Sequence, residues 1–194
     1  MYQAEVAGKP RLDGARAALA ALGAPDAIRQ APLYAEQKQA RLEAIILSDG
    51  VRAFPDALRF VEAILGLGLR LAAASSSKNA NQMMREVRLA SGQPLLDVFS
   101  VNVCGRDLRH GKPDPELFLL AAGELGRSPQ ACLVVEDAPS GIVAARAGAM
   151  LSLGVARHDD VEGLELAGAD LVVTSLDDVS LPDLAAGRMR GRLA

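Results

Sequence analysis

An apolar run that ends in two adjacent carboxylates constrains this chain more than any other segment. Val134-Val135 leads into Glu136-Asp137, and Ala138-Pro139-Ser140-Gly141 then turns the chain toward a helix. Two acids at the end of a buried strand are costly unless a cation meets them there. In open α/β sheets the carboxyl ends of the strands are also where ligands bind. An oxygen-only pair suits a hard cation such as Mg²⁺ rather than zinc. A capping carboxylate for the helix from Ser140 is the competing reading, and it accounts for one acid but not for both.

The surrounding pattern divides near Ser48 to Pro55. Before the divide, 13–22 and 26–47 carry apolar residues at spacings of three and four, which predicts two helices separated by Gly23-Ala24-Pro25. After it, helices and strands alternate. Helices are expected at 55–65, 79–89, 114–125 and 140–147. Strands are expected at 69–74, 99–103, 131–135, 151–155 and 170–173. This alternation predicts an α/β fold, a three-layer Rossmann-like parallel sheet with helices on both faces, preceded by a small α-helical segment. Residues 1–50 form the helical segment in this reading and 51–194 the α/β part.

Composition removes several function classes. A formal net charge of −3 leaves no basic footprint for nucleic acid, and 3% aromatics leaves no stacking platform for bases. No apolar run approaches a membrane span of roughly 18 residues. Met1-Tyr2-Gln3-Ala4-Glu5 has neither a basic n-region nor an apolar h-region, so no secretory signal and a cytoplasmic location are expected. Cys104 and Cys132 fit no metal spacing and read as reduced core thiols. His110 and His158 lie in polar loops with no partner at metal-ligand spacing and read as solvated.

Two further segments can carry chemistry. The strand at 69–74 runs into Ser75-Ser76-Ser77-Lys78-Asn79 and then a helix. Hydroxyls, backbone N–H groups and a lysine at such a junction can cradle phosphate, although one serine alone would serve as a helix cap. In Gly111-Lys112-Pro113-Asp114-Pro115, two prolines stiffen the loop and Asp114 can cap the following helix. Lys112 is therefore held on a rigid element, where it could neutralise phosphate oxygens and an attacking carboxylate, or simply be solvated. In the helical segment, Arg11 next to Pro10 is a candidate phosphate contact. Lys38, in Glu36-Gln37-Lys38-Gln39, lies on a charged helix face of the kind that is usually just solvated.

Ser75, Lys112 and Glu136-Asp137, in this order, resemble the second, third and fourth motifs of the haloacid dehalogenase-like hydrolase superfamily. The branch they resemble most is the β-phosphoglucomutase-like one. The helical segment with Gly8-Lys9-Pro10-Arg11 is similar to that branch's cap. The resemblance implies a Mg²⁺-dependent phosphotransfer enzyme acting on a small phosphorylated metabolite, a sugar phosphate above all, as a phosphatase or mutase. Ser75 and Lys112 would be catalytic, holding the transferring phosphoryl group. Asp137 would bind Mg²⁺ directly, and Glu136 directly or through water. Ser77, Lys78, Asn79, Arg11 and Lys38 would bind substrate, the first four at its distal phosphate.

The family's first motif, an Asp-x-Asp at the end of its first strand, supplies the nucleophile that becomes an aspartyl-phosphate. No Asp-x-Asp occurs in this sequence. Asp49-Gly50-Val51 imitates it superficially, but with one aspartate and at the hinge from cap to core, so Asp49 is rejected as nucleophile. The family's first strand lies between the Ser75 and Glu136 strands, so a slot of unpaired backbone is expected there. A segment upstream of Met1, different pairing, or a neighbouring chain would fill it. The upstream segment is favoured, and the oligomeric state is open. The alternative to an enzyme is a catalytically inactive phosphate-binding or interaction module. A Rossmann-type nucleotide site fails, because no Gly-x-Gly-x-x-Gly follows a strand.

Overall fold

The computed structural model of the chain describes residues 11–157 and 160–191. Gly8-Lys9-Pro10 and His158 lie outside the described residues. The first helices, α1 (Arg11–Ala21) and α2 (Ala27–Asp49), pack on each other through small side chains. Ala15, Leu19, Ala31 and Ala35 form their shared apolar cluster, with Tyr34 alongside. All residues of that cluster come from this helical segment, so the pair buries its apolar stripe on itself. Asp49 closes α2, which puts it at a helix end rather than at a strand end.

The core runs α3 (Pro55–Gly66), β1 (Ala72–Ala73), α4 (Ala80–Glu86), β2 (Val101–Asn102), α5 (Glu116–Leu125), β3 (Leu133–Glu136), α6 (Pro139–Ala147), β4 (Leu151–Val155), α7 (Val161–Leu166), β5 (Leu171–Val173) and α8 (Leu181–Ala185). Every strand pairing in these sheets is parallel. β1 pairs with β2, Ala72 opposite Val101. β3, β4 and β5 form a second sheet, with Leu133 opposite Leu151 and Leu153 opposite Leu171. Among the described residues no ladder joins β1 to β3. The division falls where the family's first strand is expected.

The two sheets nonetheless share one core. Val101 and Val103 from the first sheet and Val134 from the second pack with Leu117, Phe118 and Ala121 of α5 and Ala144 and Ala145 of α6. On the other face, Phe60 and Ile64 of α3 cover Leu153, Val155 and Val173. Helices therefore cover both faces, the three-layer α/β arrangement expected of this alternation.

Several elements differ in extent from their sequence periodicity. β4 covers 151–155 as expected, whereas β1 and β2 are each two residues long. Their pairing continues past the ladder, with Ser100 N–H donating to Leu71 O and Gly105 N–H to Ser75 O, both at 2.9 Å. A strand bonded along one edge only is short of partners, which truncates the regular ladder. α4 covers 80–86 rather than 79–89. Helix α7 was not expected at all. It is six residues long and contains Gly163, so its periodic signal is weak, yet a parallel β4-to-β5 connection requires a crossover element.

One buried carboxylate ties three segments together. Asp56, in the first turn of α3, accepts hydrogen bonds from Arg157 Nη1 at 2.8 Å, Leu176 N–H at 2.8 Å and Ser175 Oγ at 3.3 Å. Burial by itself would raise its pKa, but the Arg157 and Leu176 bonds outweigh that and hold the carboxyl below its ordinary value. A group with a lowered folded-state pKa contributes stability above its unfolded pKa, about 3.9, and loses it as pH falls through the folded value. Asp56→Ala should therefore cost about 3 kcal/mol or more at pH 7, because Arg157 is left without its partner. The deficit should narrow below the ordinary aspartate pKa. Urea unfolding at pH 7 and pH 3 checks both, and an equal deficit at the two pH values would contradict this account.

Candidate active site

The loop before α5 and the end of β3 meet at a buried ion pair. Lys112 Nζ contacts Glu136 Oε1, and both side chains are more than nine-tenths buried. The ammonium also lies 5.0 Å from the centre of the Phe118 ring. The other carboxylate oxygen, Glu136 Oε2, accepts the N–H groups of Asp137 and Ala138, both at 3.1 Å. Glu136 thus organises the turn from β3 into α6 while it neutralises Lys112. Glycine at position 141 makes room for this, because a Cβ there would overlap the Glu136 carboxyl group.

Burial pushes the Lys112 amine down to about 8, with Asp137 and then Cys104 opposing the shift. Those opposing charges place Lys112 within electrostatic reach of both. Cys104 is buried, which raises its thiol pKa, while the Ser75 backbone and then Lys112 act in the opposite direction. Three segments distant in sequence, Ser75, Lys112 and Glu136-Asp137, thus stand at the carboxyl ends of parallel strands, the Ser75 carbonyl accepting the N–H of Gly105 next to Cys104. Sequence reading placed Cys104 in the core and found no signal for its position beside Ser75.

The loop after β1 is held by its own hydroxyls. Ser75 Oγ accepts the Ser77 N–H at 3.1 Å, and Ser77 Oγ accepts the Asn79 N–H at 3.2 Å. Ser75 is half-buried; Ser77 and Lys78 are exposed. The turn after β2 presses on this loop. Gly105 has φ +69°, and a Cβ there would approach the Lys78 Cα to 3.2 Å. Lys78 pairs at 3.3 Å with the exposed Asp107.

Helix α2 meets this loop through a side chain that sequence reading passed over. Gln39 on α2 exchanges two hydrogen bonds with the buried Asn79 amide, at 2.9 and 3.1 Å, and Arg11 donates to the same Gln39 oxygen at 3.0 Å. Arg11 and Asn79 are thereby brought together, whereas Lys38 lies on the exposed side of α2. A single glutamine on a polar helix face carries no spacing signal.

His110 is exposed, as the sequence reading has it, but it is not without partners. It lies beside two acids, with Nδ1 3.6 Å from Glu116 and 3.9 Å from Asp114. Their ligand atoms lie within 4.8 Å of one another. Both acids have structural work that the spacing did not reveal. Glu116 accepts the Arg109 and His110 N–H groups at 3.2 and 2.8 Å, and Asp114 accepts the Glu116 N–H at 2.9 Å. The His110 and Arg109 N–H bonds hold the Glu116 carboxyl below its ordinary pKa.

For a hard cation the donor set is asymmetric. Asp137 is exposed and offers carboxylate oxygens, whereas both oxygens of Glu136 are already engaged. One carboxylate completed by water fits Mg²⁺, which keeps several waters and needs one or two protein carboxylates.

Comparison with known proteins follows this geometry. Residues 3–148 match the model of a hydrolase family described as haloacid dehalogenase-like hydrolase. The chain belongs to that family. A β-phosphoglucomutase of Mycobacterium bovis is 37% identical over 196 residues, spanning 92% of this chain and 72% of the relative. Hexitol phosphatase A of Escherichia coli is 31% identical over 134 residues, spanning 69% of this chain and 59% of the relative. The crystal structure of a β-phosphoglucomutase from Clostridium difficile superposes with a TM-score of 0.74 at 24% identity, covering 92% of this chain and 77% of that one. At that identity the likeness establishes a haloacid dehalogenase-like fold. Among the described residues no helix is long and apolar enough to cross a membrane.

The ion pair at the centre of this site makes its own prediction. Lys112→Met leaves Glu136 buried and unpaired and should lower stability by about 3–5 kcal/mol in chemical denaturation. Lys112→Met combined with Glu136→Gln, which keeps an acceptor for the turn N–H groups, should recover at least half of that loss. A double variant no more stable than Lys112→Met would attribute the loss to packing instead.

Proposed function

We propose that this chain forms the cap and the phosphate-holding side of a Mg²⁺-dependent phosphotransfer site for a small phosphorylated metabolite, a sugar phosphate by preference. The observation that carries the reading is the buried Lys112 ammonium, paired with Glu136 at the carboxyl end of β3 and within electrostatic reach of Asp137 and of Cys104 beside the Ser75 loop. A desolvated cation there would attract the oxygens of a phosphoryl group far more strongly than a surface lysine. The Ser75 hydroxyl can donate to the same group while its oxygen accepts from Ser77.

Asp137 would hold Mg²⁺ together with water, and the ion would neutralise phosphoryl oxygens when bound. Glu136 keeps Lys112 oriented. The cap helices would cover the strand ends and exclude water. Relatives named as mutase and phosphatase both fit this division of labour. The carboxylate that would attack phosphorus has no Asp-x-Asp in this sequence, which favours binding without turnover for the chain by itself.

Calorimetry with glucose 6-phosphate and Mg²⁺, run beside a phosphate-release assay, tests the reading. Binding is expected, weakened at least tenfold by Ser75→Ala or Asp137→Asn, with no Mg²⁺-dependent release. Release that disappears in Asp137→Ala would mean that another residue of this chain supplies the nucleophile. Binding unaffected by either substitution would overturn the proposed site.

A further inference from the structure

Two hydrogen-bond donors, one from the cap and one from the core, converge on a single oxygen. Gln39 Oε1 accepts from Arg11 Nη2 at 3.0 Å and from Asn79 Nδ2 at 3.1 Å. Gln39 Nε2 donates to Asn79 Oδ1 at 2.9 Å and to Glu43 Oε1 at 2.5 Å. All four hydrogen-bonding positions of this carboxamide are filled.

Its orientation is settled by chemistry. A guanidinium can only donate and a carboxylate can only accept, so the oxygen must face Arg11 and the nitrogen must face Glu43. The Asn79 amide then has one orientation that completes the pair. Asn79 is 9% exposed, so this junction is closed to most of the solvent.

We infer that Gln39 is an internal stand-in for an oxyanion: its carboxamide oxygen holds the Arg11 and Asn79 donors together and yields them to a phosphate oxygen. The exchange is favourable in principle, because a phosphate oxygen carries charge and can pair with the guanidinium in a bidentate fork, whereas the Gln39 oxygen is neutral and offers a single acceptor. The displaced amide can turn toward water, since Gln39 is only half-buried. Gln39 is thus a positioning residue. It keeps cap and core in register while no anion is present, and it sets how much affinity a phosphate must supply to enter. This rests on the phosphotransfer reading above, with Arg11 and Asn79 meeting a second, distal phosphate of the substrate, and adds a competitor within the chain.

The test uses the full chain, inorganic phosphate as probe, and calorimetry with hydrogen exchange as readouts. Gln39→Ala, a substitution helices accept well, should bind phosphate about three- to tenfold more tightly, because the donors are released. Without phosphate, the amides of 77–83 in that variant should lose exchange protection relative to the parent. Gln39→Glu should bind phosphate at least tenfold more weakly, because a fixed carboxylate competes better than an amide. Equal or weaker binding by Gln39→Ala, with the parent still binding phosphate, would overturn the stand-in role and leave the phosphate site intact. Absence of binding in both parent and Gln39→Ala would overturn the two together.

Discussion

The contact between Lys112 and Glu136 is the constraint on which the site depends. Burying a lone ammonium or a lone carboxylate would cost several kcal/mol, so neither side chain can occupy its position without the other. The pair joins the loop that enters α5 to the end of β3. Glu136 then spends its second oxygen on the Asp137 and Ala138 N–H groups, which sets the path of the chain into α6. The position of Asp137 follows from this. With its neighbour turned inward against Lys112 and Gly141, the next side chain in the strand-to-helix turn remains exposed at the carboxyl end of the sheet.

A second charged junction, at Asp56, holds the opposite helix layer. It secures the start of α3 to the segments that leave β4 and β5 through Arg157, Ser175 and Leu176. With β1 and β3 unjoined by any described ladder, backbone pairing does not hold the two sheets side by side. The side chains of α5 and α6 do so, by packing Val101, Val103 and Val134 into one cluster. Apolar packing and two buried ion pairs therefore do what a continuous sheet would otherwise do through hydrogen bonds.

The fold was legible in the sequence wherever an element is framed on both sides. The run at 151–155 became β4 with no change in length, because apolar strand and polar flanks coincide there. The strand at 69–74 was overcalled, since a ladder needs a partner as well as propensity. The sequence singles out Ser75 and Glu136-Asp137 by residue type at strand ends and Lys112 by its proline-stiffened loop. Their internal arrangement was not found, because Lys112 and Glu136 are 24 positions apart and the pairing exists only in three dimensions. The acids beside His110 are close to it in sequence, and the obstacle there is of another kind. These acids stand at spacings that also serve loop closure and helix capping.

The described contact between the helical pair and the loop after β1 is polar, and under the proposed function this bears on how a cap formed by that pair could move. The apolar cluster of α1 and α2 is complete within the helical pair, so separating cap from core need not expose it. The described hydrogen bonds across the junction run between Gln39 and Asn79. A protein hydrogen bond contributes about 0.5–1.5 kcal/mol net, so this reciprocal pair holds the closed arrangement by roughly 1–3 kcal/mol. A bias of that size by itself leaves an open population of roughly 0.5 to 15 per cent at equilibrium. A ligand needs only a few kcal/mol of differential affinity to redistribute such an equilibrium, which one charge-assisted contact to Arg11 can supply. An apolar junction of the same extent would hold the cap more tightly and would answer less to the charge of what enters.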